Sequence, residues 1–128
     1  MRVLLTGSSG WLGRYLAPLL AENGHHVTGL DVVPGVHTRV IGTVADRALV
    51  DRTMGEHGIE AVIHGGALHK PDIVRYQRQA FVDVNVSGTL NLIEAAVAAG
   101  NDRFLFTSTT SLMVRADVRA GAGEAGAW

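Results

Sequence analysis

The sequence predicts an α/β fold in which helices cover both faces of a parallel, doubly wound sheet. Short apolar runs, typical of buried strands, alternate along the chain with longer segments of helical periodicity. A glycine-rich stretch over residues 6–13 lies between the first apolar run and the first helical pattern. Because parallel strands joined through helices are connected by right-handed crossovers, this alternation predicts about five strands in the order 3-2-1-4-5.

The elements of the first half have clear start and stop signals. Strands are predicted over residues 2–6, 26–31 and 39–41, and helices over residues 11–23 and from about 46 to 57. Four leucines recur at helical spacing and predict the apolar face of the first helix: Leu12, Leu16, Leu19 and Leu20. Pro18 predicts a slight bend in that helix, Gly24 a C-terminal stop, and Asp46 the N-cap of the second helix.

The second half predicts two further strands that flank a long helix. The strands cover residues 60–64 and 103–107, and the helix runs from about 73 to 99. Its apolar stripe consists of five residues at helical spacing: Val82, Val86, Leu90, Ile93 and Val97. Gly88 lies in the middle of the helix, where it costs about 1 kcal/mol relative to alanine. We therefore expect the backbone of another segment to approach closely at Gly88.

The glycine-rich stretch has the context of a phosphate-binding turn, since it follows a strand and opens a helix. Gly7 allows a sharp turn, Gly10 allows the backbone to approach a pyrophosphate, and Gly13 allows the helix to pack close to the strand. Free N–H groups and the helix dipole attract phosphate. Asp31, at the end of the second strand, adds weight to this interpretation, although it also fits an ordinary solvated acid.

Composition excludes several other classes of function. A chain of 128 residues with a net charge of −1 is one domain or part of one and lacks the charge of a nucleic-acid-binding surface. Cysteine is absent, and the six histidines lack metal-ligand spacing, so we expect neither thiolate chemistry nor a metal site. No apolar window is long enough for a transmembrane helix, and no signal peptide is recognised. We expect a cytoplasmic protein.

Four segments together resemble one family. They are Thr6-Gly7-Ser8-Ser9-Gly10-Trp11-Leu12-Gly13, Val62-Ile63-His64-Gly65-Gly66-Ala67, Asn85-Val86-Ser87-Gly88-Thr89-Leu90-Asn91-Leu92 and Phe104-Leu105-Phe106-Thr107-Ser108-Thr109-Thr110-Ser111. In this order and spacing they resemble the extended short-chain dehydrogenase/reductase family of NAD-dependent epimerases and dehydratases, over residues 1–112. The resemblance implies a Rossmann-like NAD-binding domain over 1–112, followed by an atypical tail rich in alanine and glycine over 113–128.

The resemblance also implies a set of cofactor contacts. The residues expected at the pyrophosphate are Gly7, Gly10 and Gly13, with the backbone of Trp11 and Leu12 close by. Asp31 would bind the adenosine ribose, which favours NAD over NADP. Thr43, followed by Val44, stands where the family has an adenine-binding Asp. The residues expected beside the nicotinamide ribose are Gly65, Gly66 and Ala67, and Asn85 matches a helix asparagine near the active site.

The catalytic part of the resemblance is incomplete. Thr109, and next to it Ser108, match the family's catalytic Ser or Thr, but strand-end hydroxyls also tie down loop backbone. Met113-Val114 stands where the family has Tyr-Gly, and no Tyr-x-x-x-Lys follows; Lys70 is the only lysine. We therefore expect a truncated or altered C-terminus and no useful turnover by this chain alone. A short helix at 111–119 is also expected.

Three interpretations of function stay open. The first is the cofactor-binding half of an oxidoreductase or isomerase that acts on a sugar-like, nucleotide-linked substrate. The second is a non-catalytic nucleotide-binding module, and the third is an inactive fragment. We also expect a homodimer, because in the family the helix matched here by residues 73–99 pairs with helices that this chain does not contain.

Overall fold

The computed structural model describes residues 1–109. Within these residues five parallel strands form one sheet in the order β3-β2-β1-β4-β5, so the predicted order is confirmed. The strands are β1 (Arg2–Thr6), β2 (His26–Asp31), β3 (Thr38–Ile41), β4 (Ala61–His64) and β5 (Phe104–Phe106). The predicted tail, the boundary after residue 112 and the short helix at 111–119 lie outside the described residues.

Two helices connect the first four strands. Helix α1 (Trp11–Glu22) joins β1 to β2 and contains Pro18, and α2 (Arg47–Glu56) joins β3 to β4. The predicted N-cap of α2 is confirmed, because the Asp46 carboxylate accepts a hydrogen bond from the Leu49 N–H at 3.0 Å. All the described strand pairs are parallel, so the carboxyl ends of the strands lie on the same side of the sheet.

The predicted helix over residues 73–99 is wrong in its first turns. Lys70–Val74 forms a 3₁₀ turn instead, and Gln77 is extended, with φ −70° and ψ 157°. Helix α3 (Arg78–Val82) starts after this break, and a π-helical turn (Asp83–Ser87) joins it to α4 (Gly88–Ala98). Ile73 and Val74 are exposed, so no packing holds the first residues in the helix.

The core lies between the sheet and the helices α2 and α4. It joins Leu4, Leu30 and Val62 from the strands to side chains of these two helices, including Val50 from α2 and Leu92 from α4. Val3 and Leu5 alternate with Leu4 and are buried on the opposite face of the sheet. Both faces of the sheet are thus covered at β1, whereas Leu105 and Phe106 of β5 are exposed.

Helices α1 and α4 are buried through their small residues more than through their large ones. Helix α1 buries Gly13 and Ala17, whereas Leu12 and Leu19 are exposed, so the predicted apolar face of leucines is only partly correct. Helix α4 buries Gly88, Leu92, Ala95 and Ala96, while the predicted stripe from Val82 to Val97 is exposed. Small residues let these helix backbones approach the sheet closely.

Candidate functional site

A cavity of about 640 Å³ opens at the carboxyl ends of the strands. It lies where the strand order reverses, between β1 and β4, which is the usual ligand position in such sheets. Ten of the residues predicted to bind a cofactor line this cavity: Gly7, Gly10, Trp11, Leu12, Asp31, Thr43, Val44, Gly65, Gly66 and Ala67. The fold therefore brings together segments that are up to 60 residues apart in the sequence.

The floor of the cavity is formed by the close approach of two backbone turns. Gly7 has φ +74°, and a Cβ there would lie 2.8 Å from Gly65 C and Gly66 N. The Gly7 N–H donates to the Leu30 carbonyl at 2.9 Å, which ties the turn to β2. A side chain at Gly7 would force these backbones apart, so glycine is required here by both conformation and space.

The other two glycines of the turn have different surroundings. A Cβ on Gly13 would lie 2.2 Å from Gly7 O and 2.6 Å from Ser8 Cα, so Gly13 packs the helix against the turn. A Cβ on Gly10 would meet the Gly7 carbonyl oxygen at 3.1 Å and no other atom within 4 Å. Gly10 is exposed and lines the cavity, and it leaves backbone N–H groups at the start of α1 open to an anion.

The Asp31 carboxylate is fixed by two backbone donors. Ser9 N–H donates to Oδ2 and Val33 N–H donates to Oδ1, each at 3.0 Å. One donor belongs to the glycine-rich turn and the other to the loop after β2. Asp31 is half-buried at the rim of the cavity, and its remaining lone pairs can accept hydrogen bonds from a ligand hydroxyl.

A chain of hydrogen bonds crosses the floor of the site. Gly66 N–H donates to Thr6 Oγ1 at 3.1 Å, and Thr6 Oγ1 lies 2.6 Å from His64 Nδ1. On the other side of the ring, His64 Nε2 lies 3.0 Å from Thr89 Oγ1, and the Thr89 hydroxyl donates to the Asn85 carbonyl at 2.7 Å.

This chain allows one assignment of protons. The single proton of the Thr89 hydroxyl is used on Asn85, so Thr89 must accept from His64 Nε2–H. In the neutral imidazole Nδ1 is then an acceptor, and the Thr6 hydroxyl donates to it. His64 is 3% exposed, and burial lowers its pKa from 6.5 to about 4. His64 is therefore a neutral structural group at physiological pH.

The helix formed by α3, the π-helical turn and α4 holds two loops of the cavity. The Asn85 side chain accepts from Leu68 N–H at 2.8 Å and donates to the Leu68 carbonyl at 2.9 Å, which fixes the loop after β4. Asn91 Nδ2 donates to the carbonyls of Val44 and Ala45, in the loop after β3. Asn85 thus supports the site through Leu68.

Gly88 lies between these two asparagines and faces the loop after β3. A Cβ there would lie 2.5 Å from Val44 Cγ2 and 3.2 Å from the Val44 carbonyl carbon. The close backbone contact expected from the sequence is confirmed, and its partner is the loop that carries Thr43. Thr43 Oγ1 accepts from Ala45 N–H at 3.2 Å and keeps its own proton for a further partner.

The candidate catalytic hydroxyls follow β5 at the far end of the cavity. Ser108 lines the cavity, and Thr109 comes next in the chain as the last residue that the structure describes. Thr107 N–H donates to the His64 carbonyl at 3.0 Å, which continues the pairing of β5 with β4. Lys70 is exposed in the 3₁₀ turn, while His69 and Tyr76 line the cavity near it.

Sequence reasoning missed the residues that support the site from below. Thr6, Thr89 and Asn91 were not singled out, and His64 was considered only as a metal ligand. One signal was available: Thr6 and His64 both end buried strands that are neighbours in the predicted order, so their side chains had to meet. In residues 1–109 no three His, Asp or Glu side chains are grouped as a metal site, and no helix is long and apolar enough to cross a membrane.

The strand order and the position of the cavity are those of the Rossmann-like class of α/β proteins. The sequence profile of the NAD dependent epimerase/dehydratase family matches residues 3–119. The chain therefore belongs to the NAD-dependent epimerase/dehydratase family.

Individual relatives agree with this assignment. The chain is 32% identical over 127 residues to a UDP-glucose 4-epimerase of Klebsiella pneumoniae, covering 88% of this chain and 91% of that protein. It is 34% identical to a 3-beta-hydroxysteroid dehydrogenase of Mycolicibacterium neoaurum, covering 88% of this chain and 33% of that protein. It superposes with a TM-score of 0.81 and 26% identity on a UDP-glucose-4-epimerase of Stenotrophomonas maltophila with bound NAD and formylated UDP-arabinopyranose, covering 98% of this chain and 42% of that one.

Proposed function

We propose that this chain binds NAD and forms the cofactor-binding part of an NAD-dependent oxidoreductase of the epimerase/dehydratase family. The observation that carries the proposal is the single cavity shared by the glycine-rich turn, Asp31 and the loop after β4. The chain spans about a third of the Mycolicibacterium dehydrogenase that it matches. The reaction catalysed by a whole protein of this family is therefore also only proposed for this chain.

The residues of the site fit a dinucleotide. The exposed backbone at Gly10 and the N-terminus of α1 would hold the pyrophosphate by N–H donation and by the helix dipole. The Asp31 carboxylate, held by Ser9 and Val33, would accept from both adenosine ribose hydroxyls. The Asp31 carboxylate would repel a 2′-phosphate there, since both groups are negatively charged. The next residues, Val32 and Val33, offer no cation to offset this repulsion.

The opposite end of the cavity would receive the nicotinamide side. The loop Gly65–Gly66–Ala67 lies against the glycine turn, and Asn85 holds it through Leu68. When bound, NAD would accept a hydride from the substrate and could return it. Ser108 and Thr109 would offer hydroxyls to the reacting oxygen of the substrate, and His64, neutral and fully engaged, would keep the loop in register rather than move protons.

A sugar-type substrate is the second part of the proposal. Two of the relatives named above are called UDP-glucose 4-epimerases, and one of them binds a UDP-sugar. A 3-beta-hydroxysteroid dehydrogenase among the relatives makes a steroid the competing class. Titration of the NAD-saturated chain with UDP-glucose and with a 3β-hydroxysteroid separates the two substrate classes. We expect UDP-glucose to bind and the steroid not to bind.

Backbone amide spectra of the isotope-labelled chain test NAD binding directly. We expect NAD to shift the amide signals of residues 7–13, 31–33 and 65–67. The groove at the other end of the strands, lined by Glu60, Asn101 and Arg103, serves as an internal control and should not respond. A saturating concentration of NAD that leaves the first group unchanged, or shifts mainly the control group, contradicts the proposal.

We further propose that the chain forms a homodimer through the α3–α4 helix. Its apolar stripe is 42–71% exposed at Val82, Val86, Leu90, Ile93 and Val97, and such a stripe favours association. Light scattering at about 100 μM should give a dimer that Leu90→Glu dissociates. Val36→Glu, at a 97% exposed loop valine, is the matched control. A wild-type monomer at this concentration contradicts the dimer.

A further inference from the structure

Three hydroxyl groups connect the glycine-rich turn to the start of β3. Ser8 Oγ lies 2.7 Å from Thr38 Oγ1, and Thr38 Oγ1 lies 2.6 Å from Ser9 Oγ. The Ser9 hydroxyl donates to the Val33 carbonyl at 2.6 Å. Ser8 is 1% exposed, so its hydroxyl depends on Thr38 for a partner. The cofactor contacts proposed above do not use any of these hydroxyls.

The protons of this relay have one consistent arrangement. Because Ser9 uses its proton on Val33, it must accept from the Thr38 hydroxyl. Thr38 then has no proton left for Ser8, so Ser8 donates to Thr38. The direction of donation therefore runs from the buried Ser8 through Thr38 and Ser9 to the loop after β2, and each hydroxyl donates once and receives at most one bond.

The end of the relay is joined to the Asp31 carboxylate. Val33 receives the Ser9 hydroxyl on its carbonyl and donates its N–H to Asp31 Oδ1, while Ser9 N–H donates to Oδ2. Asp31, Ser9 and Val33 thus form a closed ring of three hydrogen bonds. The orientation of the carboxylate depends on where Ser9 and Val33 lie, and Thr38 is the group outside the ring that fixes Ser9.

We propose that Thr38 is a positioning residue for cofactor selectivity, which it controls by holding the Asp31 carboxylate toward the adenosine ribose. This inference rests on the proposed NAD-binding function. Without the Thr38 hydroxyl, Ser9 and Val33 lose a constraint and Asp31 is held less firmly. Ribose hydroxyls then bind less well, and a 2′-phosphate meets a carboxylate that is free to turn away.

The test compares NAD and NADP affinities of Thr38→Val, Thr38→Ser and the wild type by calorimetry. We expect Thr38→Val to reduce the ratio of NAD to NADP affinity about fivefold, the equivalent of one hydrogen bond. Thr38→Ser keeps the hydroxyl and should restore the ratio. Thr28→Val, on β2, is the matched control, because Thr28 is buried but its side chain makes no hydrogen bond to residues 1–109. Ser9→Ala removes the hydroxyl that accepts from Thr38 and should reproduce the effect if Thr38→Val does not fold.

The readout separates positioning from mere stabilisation. A loss of stability alone would weaken NAD and NADP binding equally and leave the ratio unchanged, and that result overturns the inference while the proposed function stands. Wild-type protein that binds neither cofactor overturns the proposed function and this inference with it. A reduced ratio in Thr38→Val and Ser9→Ala, with recovery in Thr38→Ser, supports the positioning role.

Discussion

Thr6 Oγ1 and His64 Nδ1 lie 2.6 Å apart at paired positions of the neighbouring strands β1 and β4. This contact joins the last residue of each strand just before the two turns that form the floor of the cavity. Gly66 N–H, in the loop after β4, donates to Thr6 Oγ1, and Thr89 Oγ1, on α4, bonds to His64 Nε2. The two turns at the floor of the cavity are therefore held in register by the buried side chains of Thr6 and His64.

The buried His64 predicts a specific dependence of stability on pH. Its pKa is about 4 in the folded chain and near 6.5 when unfolded, because burial disfavours the charged ring. Well above pH 6.5, His64 is neutral in both the folded and the unfolded chain, so its titration does not reduce the free energy of unfolding there. As the pH falls from 6.5 to 4, the unfolded chain binds a proton that the folded chain does not, and about 3 kcal/mol at most is lost.

Urea unfolding across this range, on wild type and His64→Gln, measures the effect. Glutamine at position 64 does not titrate, so subtracting the pH profile of the variant removes the contribution of the carboxylates and of the other five histidines. We expect the wild type to lose stability more steeply with acid than the variant does. Parallel profiles would mean that His64 is protonated in the folded chain or is not buried.

Gly10 and Gly13 are expected to respond differently to an added side chain. Gly10→Val places its branched side chain beside the proposed pyrophosphate, and NAD binding should weaken at least tenfold, about 1.4 kcal/mol, with the fold kept. Gly13→Ala puts a Cβ 2.2 Å from Gly7 O and should destabilise the fold itself. Calorimetry and thermal unfolding of both variants check this, and unchanged NAD affinity in Gly10→Val would place the nucleotide elsewhere.

Gly88 and Gly55 form a matched pair of helical glycines. Gly88→Ala gains helix propensity, but its Cβ lies 2.5 Å from Val44 Cγ2, and overpacking should cost about 1–3 kcal/mol. Gly55→Ala, near the end of α2, meets no atom within 4 Å and should stabilise by up to about 1 kcal/mol. Opposite signs in urea unfolding support the close contact at Val44. A stabilising Gly88→Ala would show that the loop after β3 moves freely.

The sequence was sufficient for the sheet and for most of the cavity rim, because those features depend on local signals. Asp46 caps α2 through its own side chain, and the glycine turn needs particular residues at particular positions. The break at Gln77 and the π-helical turn at Asp83–Ser87 were not predictable, because neither leaves a pattern in apolar spacing. The exposure of Leu19 was not predicted, because helical spacing identifies an apolar face but does not show which side of the helix packs against the sheet. In α1 the small residues Gly13 and Ala17 are buried instead of Leu19.

Calorimetric titration of the wild-type chain with NAD and with NADP shows whether Asp31, held by Ser9 and Val33, recognises an unphosphorylated ribose beside the glycine-rich turn. We expect NAD to bind and NADP to bind more weakly, with Asp31→Asn narrowing the difference between the two affinities. Absence of NAD binding, or NADP binding as tight as NAD, would contradict this expectation.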